Sequence, residues 1–216
     1  MREFQLFLQN LITISEGFAA LTALIFMWKK KEKYWRIFAL YLVLIFLSEI
    51  FGKWGELIID YNKNNFYNYF VIPLQFIFWI WLYAKKSLKK PKLFYSFTAL
   101  YILALVVHEY FFKSAKIIFS LNYTLGCLLL MILAVMEFYK QITSPNILKF
   151  KKNMMFYVNI GVTLFYIGTL PFFTFYPFIV EYDGFYDFYF TYFLASCVMM
   201  YVLFSIAFIW GKQNYT

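Results

Sequence analysis

The chain has 216 residues, of which 63% are hydrophobic and 14% are charged, and its formal net charge is +9. A soluble domain of this size could not bury so much apolar surface, so the composition excludes an ordinary water-soluble enzyme or binding domain. It predicts an all-α protein, a polytopic bundle of transmembrane helices whose solvent is mostly lipid.

Seven apolar runs fill nearly all of the chain. Each is about 17–25 residues long, enough for an α-helix to cross roughly 30 Å of hydrocarbon. In chain order the predicted spans are Phe4–Trp28, Ile37–Ile59, Phe66–Ala84, Leu93–Phe112, Ile117–Tyr139, Met154–Tyr176 and Phe188–Trp210. The connections are too short to fold independently, so we expect residues 1–216 to form a single transmembrane domain without a soluble domain. A re-entrant second or fourth span is the alternative, because the second carries three charges and the fourth is short.

The basic residues predict the orientation of the bundle. If alternate connections lie on opposite sides, one side holds 15 of the 20 basic residues, namely Lys29, Lys30, Lys31, Lys33, Arg36, Lys85, Lys86, Lys89, Lys90, Lys92, Lys140, Lys149, Lys151, Lys152 and Lys212. Short-looped membrane proteins keep such residues in the cytoplasm. We therefore predict an amino terminus outside and a carboxyl terminus in the cytoplasm.

The basic loops also bear on partners. Attraction to anionic headgroups of the lipid bilayer explains them most simply, and a docking surface for a cytoplasmic protein is the alternative. No loop is long enough to form a nucleic-acid-binding domain. The richness in Phe, Tyr, Ile, Lys and Asn is typical of an AT-rich bacterial genome, so we expect a multi-pass protein of the cell inner membrane.

Span one carries a carboxylate near the predicted middle of the membrane. Glu16 shares a helical face with Gln9 and Thr13, and it lies about 18 Å from the outer end of the span. A buried ionisable group is costly in hydrocarbon and by default marks a functional site. Beside it, Ser15 and the alanines four and eight residues further on form a row of small residues suited to close helix packing.

Span two carries Glu49, Lys53 and Glu56 at positions i, i+4 and i+7. A glutamate four residues before a lysine is the favourable order for an ion pair on a helix. The triad has one more carboxylate than ammonium, so it is either a structural pair with Glu56 at the outer interface or the lining of a working cavity. Both interpretations stay open at this stage.

Three further polar residues lie within predicted spans. His108 and Glu109 end span four, and because neighbours on a helix project about 100° apart, they are not expected to share a ligand easily. Asn122 begins a stripe in span five that continues through Gly126 to Glu137. The lone histidine is more typical of a hydrogen-bonding residue than of a proton carrier.

The sequence contains no metal or cofactor motif. The stretch that begins at His108 lacks the second histidine of a zinc-protease helix. Cys127 and Cys197 lie in different spans without paired ligand spacing, so we interpret them as buried packing residues. We predict no catalytic residue, no metal and no cofactor.

The polar residues concentrate in the middle and outer half of the bundle. They predict a vestibule open to the outside and closed by aromatic rings below it. The expected ligand-binding residues of this vestibule are Glu16, Glu49, Lys53, Glu56, His108, Glu109 and Asn122.

Three functions fit these features. The first is the binding or transport of a small polar or cationic solute. The second is a non-enzymatic accessory, sensor or pore-forming subunit that forms a homo-oligomer or meets a cytoplasmic partner. The third is an intramembrane lipid enzyme, for which His108, Glu109, Glu56 and Asp60 are the only plausible constellation. A recurrence of basic openings about every 60 residues fits either a three-hairpin repeat or the general needs of membrane hairpins.

Overall fold

A computed structural model describes residues 2–111, 120–145 and 147–212. Of these described residues 87% are helical, and no strand occurs among them. Within the same ranges seven helices are long and apolar enough to cross a membrane, which confirms the predicted fold class. They are α1 Arg2–Met27, α2 Lys33–Trp54, α3 Lys63–Ser87, α4 Pro91–Phe111, α5 Ser120–Ile142, α6 Met154–Thr174 and α7 Asp183–Trp210. The fold is compatible with a multi-pass membrane protein.

Most helices begin before the apolar runs that predict them. α2 begins at Lys33 rather than Ile37, and α7 begins at Asp183 rather than Phe188. Hydropathy marks only the part of a helix that lies in hydrocarbon, whereas backbone hydrogen bonding continues into the polar interface. The predicted connection Lys113–Lys116 and the predicted start of span five at Ile117 lie outside the described residues.

The end of α2 differs from its prediction in a way that matters for the charged triad. The α-helix ends at Trp54, and one 3₁₀ turn, Gly55–Leu57, follows it. Lys53 and Glu56 are therefore exposed at the end of the helix, while Glu49, one turn earlier, is half-buried. The prediction had extended this span to Ile59.

Two of the helices contain π turns, in which backbone hydrogen bonds reach five residues instead of four. In α3, π segments occupy Tyr67–Val71 and Trp81–Ser87. In α6, the π segment is Thr163–Ile167, where the Gly168 N–H donates to the Thr163 carbonyl at 3.1 Å. After the π segment, a short α-helical segment, Leu170–Thr174, forms the last part of α6. Pro171 lies in its first turn.

The contacts divide the chain into two compact units, and the expectation of a single domain stays a prediction. Unit 1 comprises Met1–Leu47 and Phe138–Thr216, and unit 2 comprises Ser48–Glu137. In unit 1, α7 packs along both α1 and α6. Small buried residues permit this approach: Ala19 and Ala23 of α1 are fully buried, as the row of small residues predicts.

At one end of unit 1, the loop after α1 is joined to the end of α7. The buried Lys30 ammonium donates to the Gly211 carbonyl at 2.8 Å. Lys212 forms an isolated parallel bridge with Asn153, just before α6. Burial, with a smaller contribution from the neighbouring charge of Lys29, lowers the pKa of the Lys30 ammonium below its ordinary value.

The centre of unit 2 is aromatic. The Phe76 ring of α3 lies 5.4 Å from the rings of both Tyr101 and Tyr123, on α4 and α5. Gly126 provides the space, because a Cβ at that position would lie 2.6 Å from the Phe76 ring. Closer to the basic loop after α3, the buried Glu137 carboxylate accepts a hydrogen bond of 2.7 Å from Ser87.

Candidate functional site

In unit 1, one buried carboxylate belongs to a group of interacting side chains that includes tyrosines from three other helices. Glu16 of α1 is only 4% exposed. It interacts electrostatically with Tyr41 of α2 and with Tyr201 of α7. The hydroxyl of Tyr41 is hydrogen-bonded to that of Tyr166 of α6, and Tyr166 also interacts with Tyr201. Four helices therefore bring one carboxylate and three phenol groups together, and these four residues are called the Glu16 cluster.

The Glu16 cluster lies at one depth in the bundle. Its members are 8–12 residues from the helix ends that meet near Lys30, which corresponds to about 12–18 Å along each helix. For a hydrocarbon core of about 30 Å this is close to the middle of the membrane. The four residues of the cluster therefore lie at the depth that the sequence predicts for Glu16.

The sequence around the cluster explains how side chains of four helices come so close. A Cβ at Gly17 would lie 3.1 Å from the ring of Phe46, so the glycine lets α1 approach α2. On α6, Asn159, Thr163 and Tyr166 recur at i, i+4 and i+7, a spacing that places residues on one face of a helix. Asn159 is fully buried. The Thr163 hydroxyl has no hydrogen-bond partner among the residues that the structure describes.

The chemistry available to this cluster follows from its oxygen atoms. An ionised carboxylate in a low-dielectric interior must be stabilised by hydrogen-bond donors, by a bound proton or by a cation. Tyrosine hydroxyls both donate and accept hydrogen bonds, and their rings attract cations. The cluster can therefore hold a proton or a small cation, and it can rearrange its hydroxyls when that charge leaves.

In unit 2, Glu49 is held by a neighbouring helix. The Tyr67 hydroxyl donates to the Glu49 carboxylate at 2.9 Å. Gly52 makes room for this contact, since a Cβ there would collide with the Tyr67 hydroxyl. The charge of Lys53 acts on Glu49, as the helical spacing predicts. Glu49 is therefore anchored between α2 and α3, while Lys53 and Glu56 face outward.

The other predicted site residues of unit 2 are His108 and Glu109, at the end of α4, and Asn122, at the start of α5. These are the predicted outer ends of the two helices. His108 is 3% exposed, and the adjacent Glu109 accepts a hydrogen bond from Tyr69 of α3. The two side chains thus point to different surroundings, as predicted. Asn122 is 1% exposed, and neither polar atom of its side chain has a hydrogen-bond partner within the described ranges.

These residues extend away from the aromatic centre of unit 2. Asn122 lies one helical turn before Gly126, and His108 lies two turns after Tyr101, in both cases toward the predicted outer end. Six of the seven predicted site residues are in unit 2, and Glu16 is in unit 1. A single vestibule that includes Glu16 therefore stays a prediction.

Two partners of Glu16 were missed by the sequence analysis. Tyr41 and Tyr201 are 7% and 6% exposed, although tyrosines in membrane proteins concentrate at the interfaces. Their distance from the span ends was the available signal. A carboxylate at mid-membrane needs donors, and tyrosines placed deep in neighbouring spans are candidates for that role.

The cysteines and acidic groups show no metal centre in the described part of the chain. Cys127 and Cys197 are free and buried, which confirms their interpretation as packing residues. Within residues 2–111, 120–145 and 147–212, no group of three or more His, Cys, Asp or Glu side chains could hold a metal ion.

Comparisons with protein-family models, with curated proteins and with solved structures found no match to this chain. Its function must therefore be argued from its own side chains.

Proposed function

We propose that this protein binds a small cationic solute at the Glu16 cluster and carries it across the membrane. The observation that supports this function is the burial of Glu16, a carboxylate near the middle of its helix, beside Tyr41 and Tyr201, which both interact with Tyr166. Ionisable groups at this depth are costly, and proteins use them for ion and proton pathways.

The form of α6 supports the same function. Its π segment, Thr163–Ile167, contains Tyr166, and Pro171 interrupts the helix about one turn further on. Transporters commonly place their binding sites at midplane beside broken helices, and single π turns often occur at functional sites. A helix interrupted beside the cluster provides a means of moving Tyr166 relative to Glu16.

Unit 2 contributes the predicted outer surface in this proposal. Among the described residues, Glu49, Glu56, Asp60 and Glu109 supply negative charge near the predicted outer helix ends, against the charges of Lys53 and Lys63. Such charge raises the local concentration of cations. The carboxyl terminus and the basic loops then lie in the cytoplasm, and the protein lies in a bacterial inner membrane.

The proposal is tested in proteoliposomes on a solid-supported membrane. Jumps in sodium, potassium, guanidinium and choline concentration are applied in turn, each with and without a pH gradient. We expect a saturable current for at least one of the four, and we expect Glu16→Gln to abolish it. Glu137→Gln is the matched control, because Glu137 is also a fully buried glutamate but is bonded to Ser87.

Two results would contradict the proposal. One is the absence of a saturable current for all four cations in wild-type liposomes shown to contain folded protein. The other is a wild-type current that survives in folded Glu16→Gln, or that Glu137→Gln abolishes equally.

A second candidate function is an oligomeric membrane module, and one observation favours it. Gln9 and Asn10 are exposed on α1, about 10–12 Å from its start. Amide side chains at lipid-exposed positions find partners on neighbouring helices. Cysteine cross-linking at Gln9 in native membranes tests this function, since a pore-forming assembly gives dimers there together with single-channel currents, and a monomeric transporter gives neither.

A further inference from the structure

The loop between α3 and α4 carries an unusual concentration of positive charge. Lys85, Lys86, Lys89, Lys90 and Lys92 fall within eight residues, and no Asp or Glu occurs between Lys85 and Ser96. The carboxylate that reaches this loop, Glu137, is buried and bonded to Ser87. The exposed charge of the loop is therefore entirely positive.

The five lysines have two different roles. The ammonium of Lys85 lies 5.4 Å from the ring centroids of Phe94 and Tyr95, and that of Lys86 lies 5.4 Å from the Trp81 ring. These two side chains are engaged in cation–π contacts within the hairpin. Lys89, Lys90 and Lys92 are exposed. Lys89 has φ of 57°, which turns the chain back toward α4.

Beside these exposed lysines is a groove of about 580 Å³. Its wall is formed by the first turns of α4 and is almost wholly apolar, and Lys90 and Lys92 are part of it. The residues that line it are Lys90, Pro91, Lys92, Leu93 and Ser96. A groove of this kind suits a ligand that has both an anionic group and a hydrocarbon chain.

The rest of α4 continues this apolar surface. Only 11% of its membrane-spanning core is buried, against 39–50% for the other six helices. Leu100, Leu103 and Val107 are among its exposed side chains, one to three turns beyond the groove. An acyl chain that starts in the groove therefore finds apolar side chains along the helix.

We propose that this surface binds an anionic phospholipid, with its phosphate between Lys90 and Lys92 and an acyl chain in the groove and along α4. The lysines supply the charge that distinguishes an anionic from a zwitterionic headgroup. The apolar wall supplies the contact that distinguishes a lipid from a free phosphate. The site is independent of the Glu16 cluster and of the solute proposed for it.

Native mass spectrometry of the detergent-purified protein tests this site by titration with phosphatidylglycerol, phosphatidylcholine and glycerol 3-phosphate. We expect phosphatidylglycerol to bind at least about tenfold more tightly than phosphatidylcholine. The double variant Lys90→Gln with Lys92→Gln should weaken phosphatidylglycerol binding about 10- to 30-fold, since each lysine near an anionic headgroup raises the affinity about three- to fivefold. Lys149→Gln with Lys151→Gln removes the same charge from exposed lysines elsewhere and should change binding less than about twofold.

Ser96→Trp separates the groove from the charge. Ser96 is exposed, so the larger side chain fills the groove without disturbing the core or the lysines. We expect this variant to lose the preference for phosphatidylglycerol. If both lysine double variants lost phosphatidylglycerol binding equally, the lipid would be attracted by the overall positive charge and not by this site, and the proposal would be overturned. Glycerol 3-phosphate binding as tightly as the lipid, or unchanged lipid binding in folded Ser96→Trp, would also overturn it.

Discussion

Unit 1 has a carboxylate at its centre, whereas unit 2 has aromatic rings at its centre and carboxylates toward the ends of its helices. Glu16 is buried beside tyrosines of unit 1, but Glu49 is half-buried beside an exposed lysine. The Phe76 ring fills the corresponding interior of unit 2. Aromatic packing suffices to hold helices together, so a carboxylate kept at the centre of a bundle points to a purpose beyond stability.

Replacement of Glu16 should have the largest effect on folding. Glu16→Leu leaves the hydroxyls of Tyr41 and Tyr201 without the carboxylate beside them, and we expect it to cost about 2–3 kcal/mol. Glu49→Leu should cost less than about 1 kcal/mol, because Tyr67 can turn toward water. SDS titration in mixed micelles measures both free energies of unfolding. Equal losses would remove the distinction between the two carboxylates.

The aromatic centre of unit 2 is tested by Gly126→Ala. The new methyl group would lie 2.6 Å from the buried Phe76 ring, so either the ring or the helix must shift. We expect a loss of about 2 kcal/mol in the same unfolding assay. Gly184→Ala is the control, because no atom lies within 4 Å of a Cβ at that position. A Gly126→Ala protein as stable as this control would show that the centre of unit 2 is loosely packed.

A smaller effect is expected at Gly52, where the substitution acts on the anchor of Glu49. Gly52→Ala displaces the Tyr67 hydroxyl and should cost about 1 kcal/mol through the lost hydrogen bond. Tyr67→Phe removes the same bond, so the double variant should lose much less than the sum of the two single losses. Strict additivity in this double-mutant cycle would mean that Gly52 does not serve the contact.

Lys53→Met should change stability by less than about 0.5 kcal/mol, because the ammonium is exposed and surface ion pairs contribute little. The double variant with Glu49→Gln should then resemble Glu49→Gln alone. A buried structural ion pair, one of the two interpretations that the sequence leaves open, would give a larger effect. A loss of more than about 2 kcal/mol for Lys53→Met would support that pair.

The smallest expected effect concerns pH at Lys30. Because the pKa of Lys30 is lowered in the folded protein, its charged form opposes folding below that pKa. This penalty disappears as the pH rises to the ordinary lysine value near 10.4. Thermal unfolding should therefore show wild type gaining stability relative to Lys30→Met as the pH rises from the lowered pKa of Lys30 toward about 10.4. A stability difference between the two proteins that stays constant up to that pH would contradict this prediction.

The seven helices could be predicted because each apolar run carries its own evidence. Long runs such as 188–210 need no knowledge of their neighbours to be recognised as membrane spans. Helix ends were harder, since Trp54 ends α2 within a run that still looks apolar. The exposure of Lys53 follows from that ending and could not be deduced from the spacing of Glu49 and Lys53 alone.

The candidate site was predictable only in part, for a related reason. Glu16 is recognisable by itself, because a carboxylate within an apolar run is rare. Tyr41 and Tyr201 are two of 20 tyrosines, and only the packing of α2 and α7 in unit 1 shows which tyrosines reach Glu16. Spacing along one helix defines a face, but the partner of that face depends on contacts between residues far apart in the sequence.

The π segments of α3 also affect how the helix matches the thickness of a bilayer. The apolar run of α3, Phe66–Ala84, has 19 residues and as a straight α-helix would be about 28 Å long, close to a typical hydrocarbon core of about 30 Å. Each π turn takes up more residues for the same advance, so Tyr67–Val71 and Trp81–Ser87 shorten the helix. The apolar part of α3 is therefore shorter than the hydrocarbon core, so the surrounding lipid must thin or the flanking lysines must reach to the interface, and a straight helix of the same residues would need less of either adjustment.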